Sequence, residues 1–370
     1  MIYLDNNATA PVRPEVARLM ADAWLRPGNP SSIHGFGRQA RNRIETARQD
    51  IARLIGAKAE NIIFTSGGTE ANNLALRGAP ARTVLVSAIE HESVARFAIT
   101  PEAIIPVLST GVIDLAALDA MLAAAPASTL VSIMLVNNET GILQPVAEAA
   151  EIAHRHGALL HCDAVQALGK IPFDCTALGA DLVSLSAHKF GGPQGIGALI
   201  LRNGLDITGQ MLGGGQERGR RAGTENAAGI AGFALAAKMA VDALPALTVE
   251  LSALRDRLEQ GVAALTPDIV FFGSDQARAP NTSCFALPGV TASTQVMNLD
   301  LAGIAVSAGS ACSSGKVTRS AVLAAMGIDD ALAGAAIRVS LGWASNAADI
   351  DAFLAAWEMI AGRMPLRRAG

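Results

Sequence analysis

The sequence predicts an α/β protein with a mainly parallel sheet covered by helices on both faces, followed by a smaller α+β domain. Two observations support this. Apolar, β-prone runs alternate with helical patterns through the first two thirds of the chain, as they do in parallel sheets joined by helices. The 370 residues are 51% hydrophobic but only 4% aromatic, so a sizeable core has to be built from Ala, Val, Leu and Ile.

The alternating pattern predicts each element of the sheet in turn. The candidate strands are Ile62–Thr65, Thr83–Ser87, Leu130–Val136, Ala158–Cys162, Asp181–Ala187 and Ala198–Leu201. The candidate helices between them include Arg38–Ile55, Leu115–Ala124 and Val146–His156. Because each helix separates two strands, successive strands are expected to run in the same direction.

The last third of the chain has a different pattern. Thr224–Leu265 is predicted to be a long helix, interrupted near Pro245, that bridges to a second domain. Shorter strands (Thr282–Leu287, Ala305–Ser307, Ile337–Ser340) and helices such as Ala347–Ala361 follow. We expect a large domain over residues 14–250 and a small domain over residues 1–13 and 251–370.

Composition excludes several classes of function. A net charge of −4 and a pI near 5.9 argue against nucleic acid or anionic membrane as partners. The uncharged segment Ala120–Asn138 contains Pro126-Ala-Ser-Thr129, which predicts a helix end followed by a strand and not a membrane span. The start of the chain does not read as a secretory signal, and the four cysteines have no metal-binding spacing. A cytoplasmic enzyme with free thiols and no metal is the expectation.

Lys189 and Asp163 follow two predicted strands. Lys189 ends the run Asp181–Lys189, just before Phe190-Gly-Gly-Pro-Gln-Gly, and it is one of only five lysines. Asp163 ends Ala158–Asp163 and lies 26 positions before Lys189, which leaves room for a crossover. Ligands of open α/β sheets bind at this edge, where an amine can form a Schiff base and a carboxylate can pair with a pyridine nitrogen. Alternatively, Lys189 is a solvated surface residue and Asp163 a helix N-cap.

A phosphate site is indicated by Ser66-Gly67-Gly68-Thr69-Glu70, which follows a strand and opens a helix. Glycines allow close approach of a ligand to the backbone, and the helix start supplies free N–H groups. An ordinary capped helix fits the same residues equally well.

Other polar residues at strand ends are candidates only in combination. His91 could stack on a planar cofactor or donate a proton; the alternative is a structural histidine. Asn138, in Asn137–Gly141, could bond a ring oxygen; the alternative is a plain turn.

Arg338, a charge within a strand-like run, could bind a carboxylate. Cys312 lies in a small, polar segment near Lys316 and Arg319, which favours an exposed, reactive thiolate. The other cysteines, Cys162, Cys175 and Cys284, border apolar runs and are expected to be inert.

Together these motifs resemble the cysteine desulfurases of the nitrogen-fixation and iron–sulfur-cluster type. These are enzymes of the class V aminotransferase family that depend on pyridoxal 5'-phosphate (PLP). The resemblance is carried by Tyr3–Thr9, Gly28–Ser32, Ser66–Glu70, Glu90-His91, Val136–Gly141, Asp163–Gln166, Ser186–Lys189, Gly213–Gly219, Gly223-Thr224, Gly309–Cys312 and Arg338. It implies PLP-dependent transferase fold type I, with a seven-stranded sheet. Gln216 departs from the family pattern, in which many members have histidine at that position.

The resemblance also implies roles for individual residues. Lys189 would hold PLP as a Schiff base and move the substrate Cα proton, Asp163 would pair with the pyridine nitrogen, and His91 would stack on the ring. The remaining implied contacts are Gly68, Thr69, Ser186 and His188 to the phosphate, Thr224 to the phosphate from the other subunit, Gln166 and Asn138 to the ring oxygen, and Asn138 and Arg338 to the substrate carboxylate. Cys312, in a loop over about 307–318, would take sulfur from L-cysteine as a persulfide and release alanine.

The implied partners are a second copy of the chain and an iron–sulfur scaffold or other sulfur acceptor, with Cys312 in transient contact with a nascent cluster. A selenocysteine lyase, another lyase or transaminase of the same family, and a non-catalytic protein that binds an iron–sulfur scaffold are the alternatives. The intact set of Lys189, Asp163 and His188 argues against the last of these.

Overall fold

The computed structural model describes residues 1–126, 128–309 and 320–363. Its helices are α1 (Pro14–Trp24), α2 (Gly35–Leu54), α3 (Gly68–Gly78), α4 (Glu92–Ala95), α5 (Leu115–Ala124), α6 (Val146–Arg155), α7 (Ala227–Leu265), α8 (Ala292–Leu301), α9 (Ala321–Ala325), α10 (Asp330–Ala333) and α11 (Ala347–Arg363). Its strands are β1 (Ile2–Tyr3), β2 (Ile62–Thr65), β3 (Thr83–Ser87), β4 (Ile104–Ile105), β5 (Thr129–Met134), β6 (Leu159–Asp163), β7 (Leu182–Ser186), β8 (Gly197–Leu201), β9 (Val270–Phe271), β10 (Thr282–Ala286), β11 (Ile304–Ala305), β12 (Ser307–Ala308) and β13 (Ala336–Ser340).

The central sheet has seven strands in the order β2-β8-β7-β6-β5-β3-β4. Strand β8 is antiparallel to both of its neighbours, and the other neighbouring pairs are parallel. Every residue of β5, β7 and β8 is buried, which explains their nearly continuous apolar sequences. The predicted α/β class and mainly parallel seven-stranded sheet are confirmed.

Helix α7 links two hydrophobic cores. Its first half, from Ile230 to Ala240, packs with α1 and α2 in the core of the central sheet. Leu254 and Leu258 in its second half lie in another core with α11. The helix continues through Pro245, so the prediction that it is interrupted there is wrong. By length and composition alone α7 could cross a membrane, but the residues buried along it lie inside these two cores.

The second core lies between α7, α8, α11 and a four-stranded antiparallel sheet of order β12-β13-β10-β9. Trp357 fills its centre and packs edge-on against Phe285, with ring centroids 5.5 Å apart. Leu4 joins this core from the start of the chain, where β1 pairs with β11. The boundaries 14–250 and 251–370 stay a prediction.

Most predicted elements lie within one to three residues of the observed ones. The uncharged segment Ala120–Asn138 divides into the end of α5 and strand β5, as expected from Pro126. The sequence analysis missed β4, because two residues are too few for an alternation pattern. It also merged β11 and β12, which the structure separates at Val306.

Candidate active site

A cavity of about 370 Å³ opens at the carboxyl edge of the central sheet, where β6 and β7 end side by side. It is lined by ten predicted site residues: Gly68, Thr69, His91, Asn138, Asp163, Gln166, Ser186, His188, Lys189 and Arg338. A larger groove of about 880 Å³ between α1, α2 and α7 contains none of them. The fold therefore brings together residues that are far apart in sequence, and their chemistry, not cavity size, identifies the site.

Lys189 is held at the cavity wall by the first segment of the chain. It ends the 3-10 turn Ala187–Lys189 that follows β7. Its Nζ donates hydrogen bonds to the backbone oxygens of Asn7, at 2.7 Å, and Ala8, at 2.8 Å. The amine is thus fixed in the cavity by carbonyl groups.

His188 lies beside Lys189, and its Nδ1 is 3.1 Å from Thr9 Oγ1. Burial lowers the pKa of His188 to about 4, and the positive charges of Lys189 and Lys170 act in the same direction. The imidazole is therefore neutral at pH 7 and offers a neutral N–H or lone pair to a ligand.

Asp163 is the end of a hydrogen-bond chain that reaches His91. Asn72 Nδ2 donates to Asp163 Oδ2 at 2.7 Å and to Ser93 Oγ at 2.9 Å. Ser93 Oγ lies 2.8 Å from His91 Nδ1, and the Ser93 N–H donates to the same nitrogen at 3.1 Å. Because the backbone N–H requires a lone pair at Nδ1, the neutral imidazole carries its proton on Nε2.

The start of α3 and the end of β7 fit a phosphate group. Ser186 Oγ is buried and has no hydrogen-bond partner in the described part of the chain, so it is available to a ligand. A Cβ at Gly68 would come within 2.7 Å of Val165 Cγ2, so a larger residue would clash with the Val165 side chain unless one of them moved. Glycine therefore lets the start of α3 lie close to Val165. The helix start supplies free N–H groups beside the Thr69 side chain. The residues present therefore fit PLP.

Arg338 points from β13 into the same cavity and is 2% exposed. Its Nη2 pairs with Asp5 Oδ1 at 2.7 Å, and its Nη1 donates to the Asn138 backbone oxygen at 2.9 Å. Its Nε is buried without a partner among the described residues. A substrate carboxylate is the partner predicted from the sequence for this charge; the structure also pairs it with Asp5, and the contact with substrate stays a prediction.

Three further buried side chains near the cavity have pKa values shifted from their usual range. Burial raises the pKa of Glu90 to about 8 and that of Glu139 to about 7. Burial lowers the pKa of His161 to about 4, and its ring lies between Ser132 Oγ and Ser184 Oγ at 2.8 and 2.9 Å. The imidazole of His161 is therefore a neutral bridge between β5 and β7.

The sequence analysis missed the residues that hold the site residues in place: Asp5, Asn7, Asn72, Ser93 and Lys170. For Asn72 a signal was present, since it follows Gly68 by one helical turn on the buried face of α3. Asn7 lies in the quoted motif Tyr3–Thr9 but received no role.

Two predicted residues are not brought into the cavity. Thr224 is exposed in the segment before α7 and does not line it. Cys312, with Lys316 and Arg319, lies outside the described residues.

The other three cysteines are free thiols, and burial raises the pKa of each: Cys175 to about 12, and Cys162 and Cys284 well above the usual value.

Comparison with known proteins identifies the family. The family model for class-V aminotransferases matches residues 2–353. A cysteine desulfurase from Cereibacter sphaeroides is 45% identical over 368 residues, which cover 95% of this chain and 94% of the relative. An IscS-like cysteine desulfurase from Mycobacterium tuberculosis is 40% identical over 371 residues, covering 96% and 94%.

A solved structure of a NifS-like protein from Rickettsia africae superposes with a TM-score of 0.92 at 38% identity, covering 98% of this chain and 99% of that one. These findings confirm the resemblance and the fold type. The chain belongs to the class V aminotransferase family of PLP-dependent enzymes, and its close relatives are cysteine desulfurases.

Proposed function

We propose that this protein is a PLP-dependent cysteine desulfurase that converts L-cysteine to L-alanine and passes the sulfur to an acceptor. The observation that carries the proposal is the joint placement of Lys189 and Asp163 in one cavity, at the ends of paired parallel strands. An amine and a carboxylate that face the same space can hold opposite sides of a pyridine ring. Relatives named cysteine desulfurase over nearly the whole chain support the substrate.

The described residues divide the binding of PLP between them. Ser186, Thr69, the backbone at Gly68 and the neutral His188 would hold the phosphate, and Asp163 would face the ring nitrogen. When bound, PLP supplies an electron sink that stabilises a negative charge at the substrate Cα. Asp163 would keep the ring nitrogen protonated, and the hydrogen bond from Asn72 orients Asp163 for that contact.

Proton transfer falls to Lys189 and His91. Lys189 would hold PLP, and its amine, once freed by the substrate, would accept the Cα proton. The carbonyl oxygens of Asn7 and Ala8 hold the free amine at the cavity wall. His91 would stack on the ring and present the proton on Nε2 to the substrate side, since Nδ1 is occupied by Ser93.

The substrate carboxylate would bind Arg338, together with Asn138. Arg338 is already anchored by Asp5 and the Asn138 carbonyl, so its guanidinium is oriented before substrate arrives. Its Nε is buried and has no partner among the residues that the structure describes, so the N–H there remains able to donate to the carboxylate.

We assign sulfur transfer to Cys312 on sequence grounds. Its thiolate would take the substrate sulfur as a persulfide, alanine would leave, and an iron–sulfur scaffold or another acceptor protein would receive the sulfur. The raised pKa values of Cys162, Cys175 and Cys284 make those three thiols poor nucleophiles, which supports the choice.

The proposed assembly is a homodimer in the cytoplasm, in which Thr224 reaches the phosphate of the other subunit. The exposure of Thr224 and its absence from the lining of the cavity in its own chain support this arrangement. The free thiols are in keeping with a reducing compartment.

One assay tests the function. The PLP-loaded protein is supplied with L-cysteine and, in parallel, L-selenocysteine, and alanine and enzyme-bound sulfur are both counted. Alanine and bound sulfur in equal amounts from L-cysteine are expected. Turnover of L-selenocysteine alone would identify a selenocysteine lyase, and amino-group transfer without alanine would identify a transaminase.

A further inference from the structure

Lys170 is a buried lysine that the proposed mechanism does not use. It lies in the turn after β6 and is 6% exposed. Its Nζ donates to Asn7 Oδ1 at 2.8 Å and to Gln166 Oε1, and both acceptors are neutral amides. A buried lysine whose bonds go to amide oxygens is unusual, because a buried charge normally has an acidic partner.

Burial lowers the pKa of Lys170 well below its usual value, and the charges of Lys189 and Arg338 lower it further. In either protonation state the amine has N–H groups to donate, and the Asn7 side-chain oxygen faces them. Because Gln166 Nε2 faces the Asn7 backbone oxygen, which can only accept, the amide oxygen of Gln166 must face Lys170.

This requirement fixes the orientation of Gln166, whose side chain lines the cavity. With Oε1 committed to Lys170, one N–H of Nε2 donates to the Asn7 backbone oxygen at 2.9 Å. The other N–H is left for the cavity. A flipped amide would lose the hydrogen bond that Lys170 donates and would place its oxygen against the Asn7 backbone oxygen.

Asn7 transmits the same constraint to Lys189. Its carbonyl oxygen accepts from both Gln166 and Lys189, while its side-chain oxygen accepts from Lys170 and from Asn281 Nδ2 at 3.0 Å. Its Nδ2 donates to Thr282 Oγ1, at the start of β10, at 2.9 Å. Asn7 is therefore held both by residues after β6 in the central sheet and by residues of the four-stranded sheet. Moving the Asn7 side chain would therefore move the carbonyl that holds the Lys189 amine.

We propose that Lys170 is a positioning residue: its hydrogen bonds to Asn7 and Gln166 make Gln166 present an N–H donor to the PLP ring and hold the Asn7 carbonyl against Lys189. This inference rests on the proposed cofactor site. It assigns to Lys170 no contact with PLP or substrate.

The test compares Lys170→Met, which keeps most of the side-chain length but removes its donors, with Lys238→Met, a change at an exposed lysine on α7. The dissociation constant for PLP is measured by equilibrium dialysis of the apoprotein, with the absorbance maximum of the loaded protein and the melting temperature as further readouts. Lys170→Met should raise the dissociation constant about tenfold, the effect of losing the hydrogen bond from Gln166 to PLP, and shift the maximum. Lys238→Met should change neither.

A double-mutant cycle with Gln166→Leu isolates the positioning role. If Lys170 acts through Gln166, adding Lys170→Met to Gln166→Leu should weaken PLP binding less than it does alone. Fully additive effects, or a lower melting temperature with unchanged affinity and spectrum, would overturn the inference and leave Lys170 as a structural residue.

A second variant covers the case in which Lys170→Met does not fold. Gln166→Glu gives Lys170 an acidic partner but removes both the N–H that faces the cavity and the N–H that donates to the Asn7 backbone oxygen, so it should bind PLP more weakly. Binding as tight as that of the unchanged protein would contradict the inference alone. Absence of PLP binding by the unchanged protein would instead contradict the proposed function.

Discussion

Asn72 Nδ2 and Asp163 Oδ2 are 2.7 Å apart, and this hydrogen bond connects α3, whose start is the proposed phosphate site, to the end of β6. The same Asn72 amide reaches Ser93, whose hydroxyl contacts His91. The carboxylate proposed for the pyridine nitrogen and the imidazole proposed for the ring face are thus oriented by one buried amide. Their relative position depends on α3 as much as on the sheet.

Replacing Asn72 with leucine should weaken PLP binding by roughly ten- to a hundredfold, because a hydrogen bond to a charged group typically contributes about 1.5–3 kcal/mol. Equilibrium dialysis of the apoprotein measures this effect. Arg77→Ala, an exposed change on the same helix, is the control and should leave the affinity unchanged. Equal affinities of the Asn72→Leu and unchanged proteins would mean that Asp163 does not need Asn72 to bind the ring.

Replacing Arg338 with alanine should raise KM for L-cysteine by about tenfold or more, since the loss of a buried charge-assisted pair typically costs at least 1.5 kcal/mol. Steady-state kinetics separate KM from kcat. The substitution also leaves Asp5 without its 2.7 Å partner, which destabilises the fold independently of substrate.

The double variant Asp5→Asn/Arg338→Ala separates these two effects. Removing the charge of Asp5 should restore part of the melting temperature, while KM should stay high because the carboxylate still has no guanidinium to bind. If KM recovered together with stability, Arg338 would be a structural residue.

Glu90 gives a pH dependence whose sign is fixed by its pKa, raised from 4.5 to about 8 by burial and, less strongly, by the Asp163 charge. Between these values the folded protein keeps a proton that the unfolded chain releases. The contribution of Glu90 to the free energy of unfolding is therefore fully present below pH 4.5 and is lost as the pH rises through about 8.

The variant Glu90→Gln has no such proton. Relative to the unchanged protein, its free energy of unfolding should increase as pH is raised from 5 to 8, as measured by urea denaturation at both values. The opposite slope from His161, whose pKa is lowered to about 4, is present in both proteins and cancels. Glu92→Gln, at an exposed carboxylate, is the control; a difference that does not change with pH would contradict the raised pKa of Glu90.

The strands, and the positions of Lys189 and Asp163 at the edge of the sheet, could be predicted from the sequence for a physical reason. Lys189 and Asp163 follow apolar runs that end abruptly, so the local pattern places both at the edge of the sheet. Asn7 could not be assigned in this way, because its partners Lys170, Thr282 and Ser340 are 163, 275 and 333 residues distant in sequence. Lys170 was equally hidden, since a buried lysine and an exposed one look alike until the chain is folded.

Cys312→Ser should bind PLP and L-cysteine normally but lose sulfide production by several orders of magnitude, as expected when a nucleophile is removed. Cys175→Ser is the matched control for Cys312→Ser, since burial raises the pKa of the Cys175 thiol to about 12 and keeps it protonated. Full sulfide production by Cys312→Ser would favour a lyase that needs no persulfide.

Lys189→Ala should be colourless, because the imine that absorbs visible light requires the Lys189 amine.

Thr224 allows a direct test of the shared site. In a mixed dimer of a Lys189→Ala chain and a Thr224→Val chain, one site would carry both defects and the other would carry neither. If Thr224 serves the partner's phosphate, the mixed dimer should recover about half the activity of the unchanged dimer at limiting PLP, although each variant alone is impaired. Separate affinity tags on the two chains allow its purification. If Thr224 acted within its own subunit, each site would carry one defect and no recovery would be seen; a monomer by sedimentation would contradict the shared site outright.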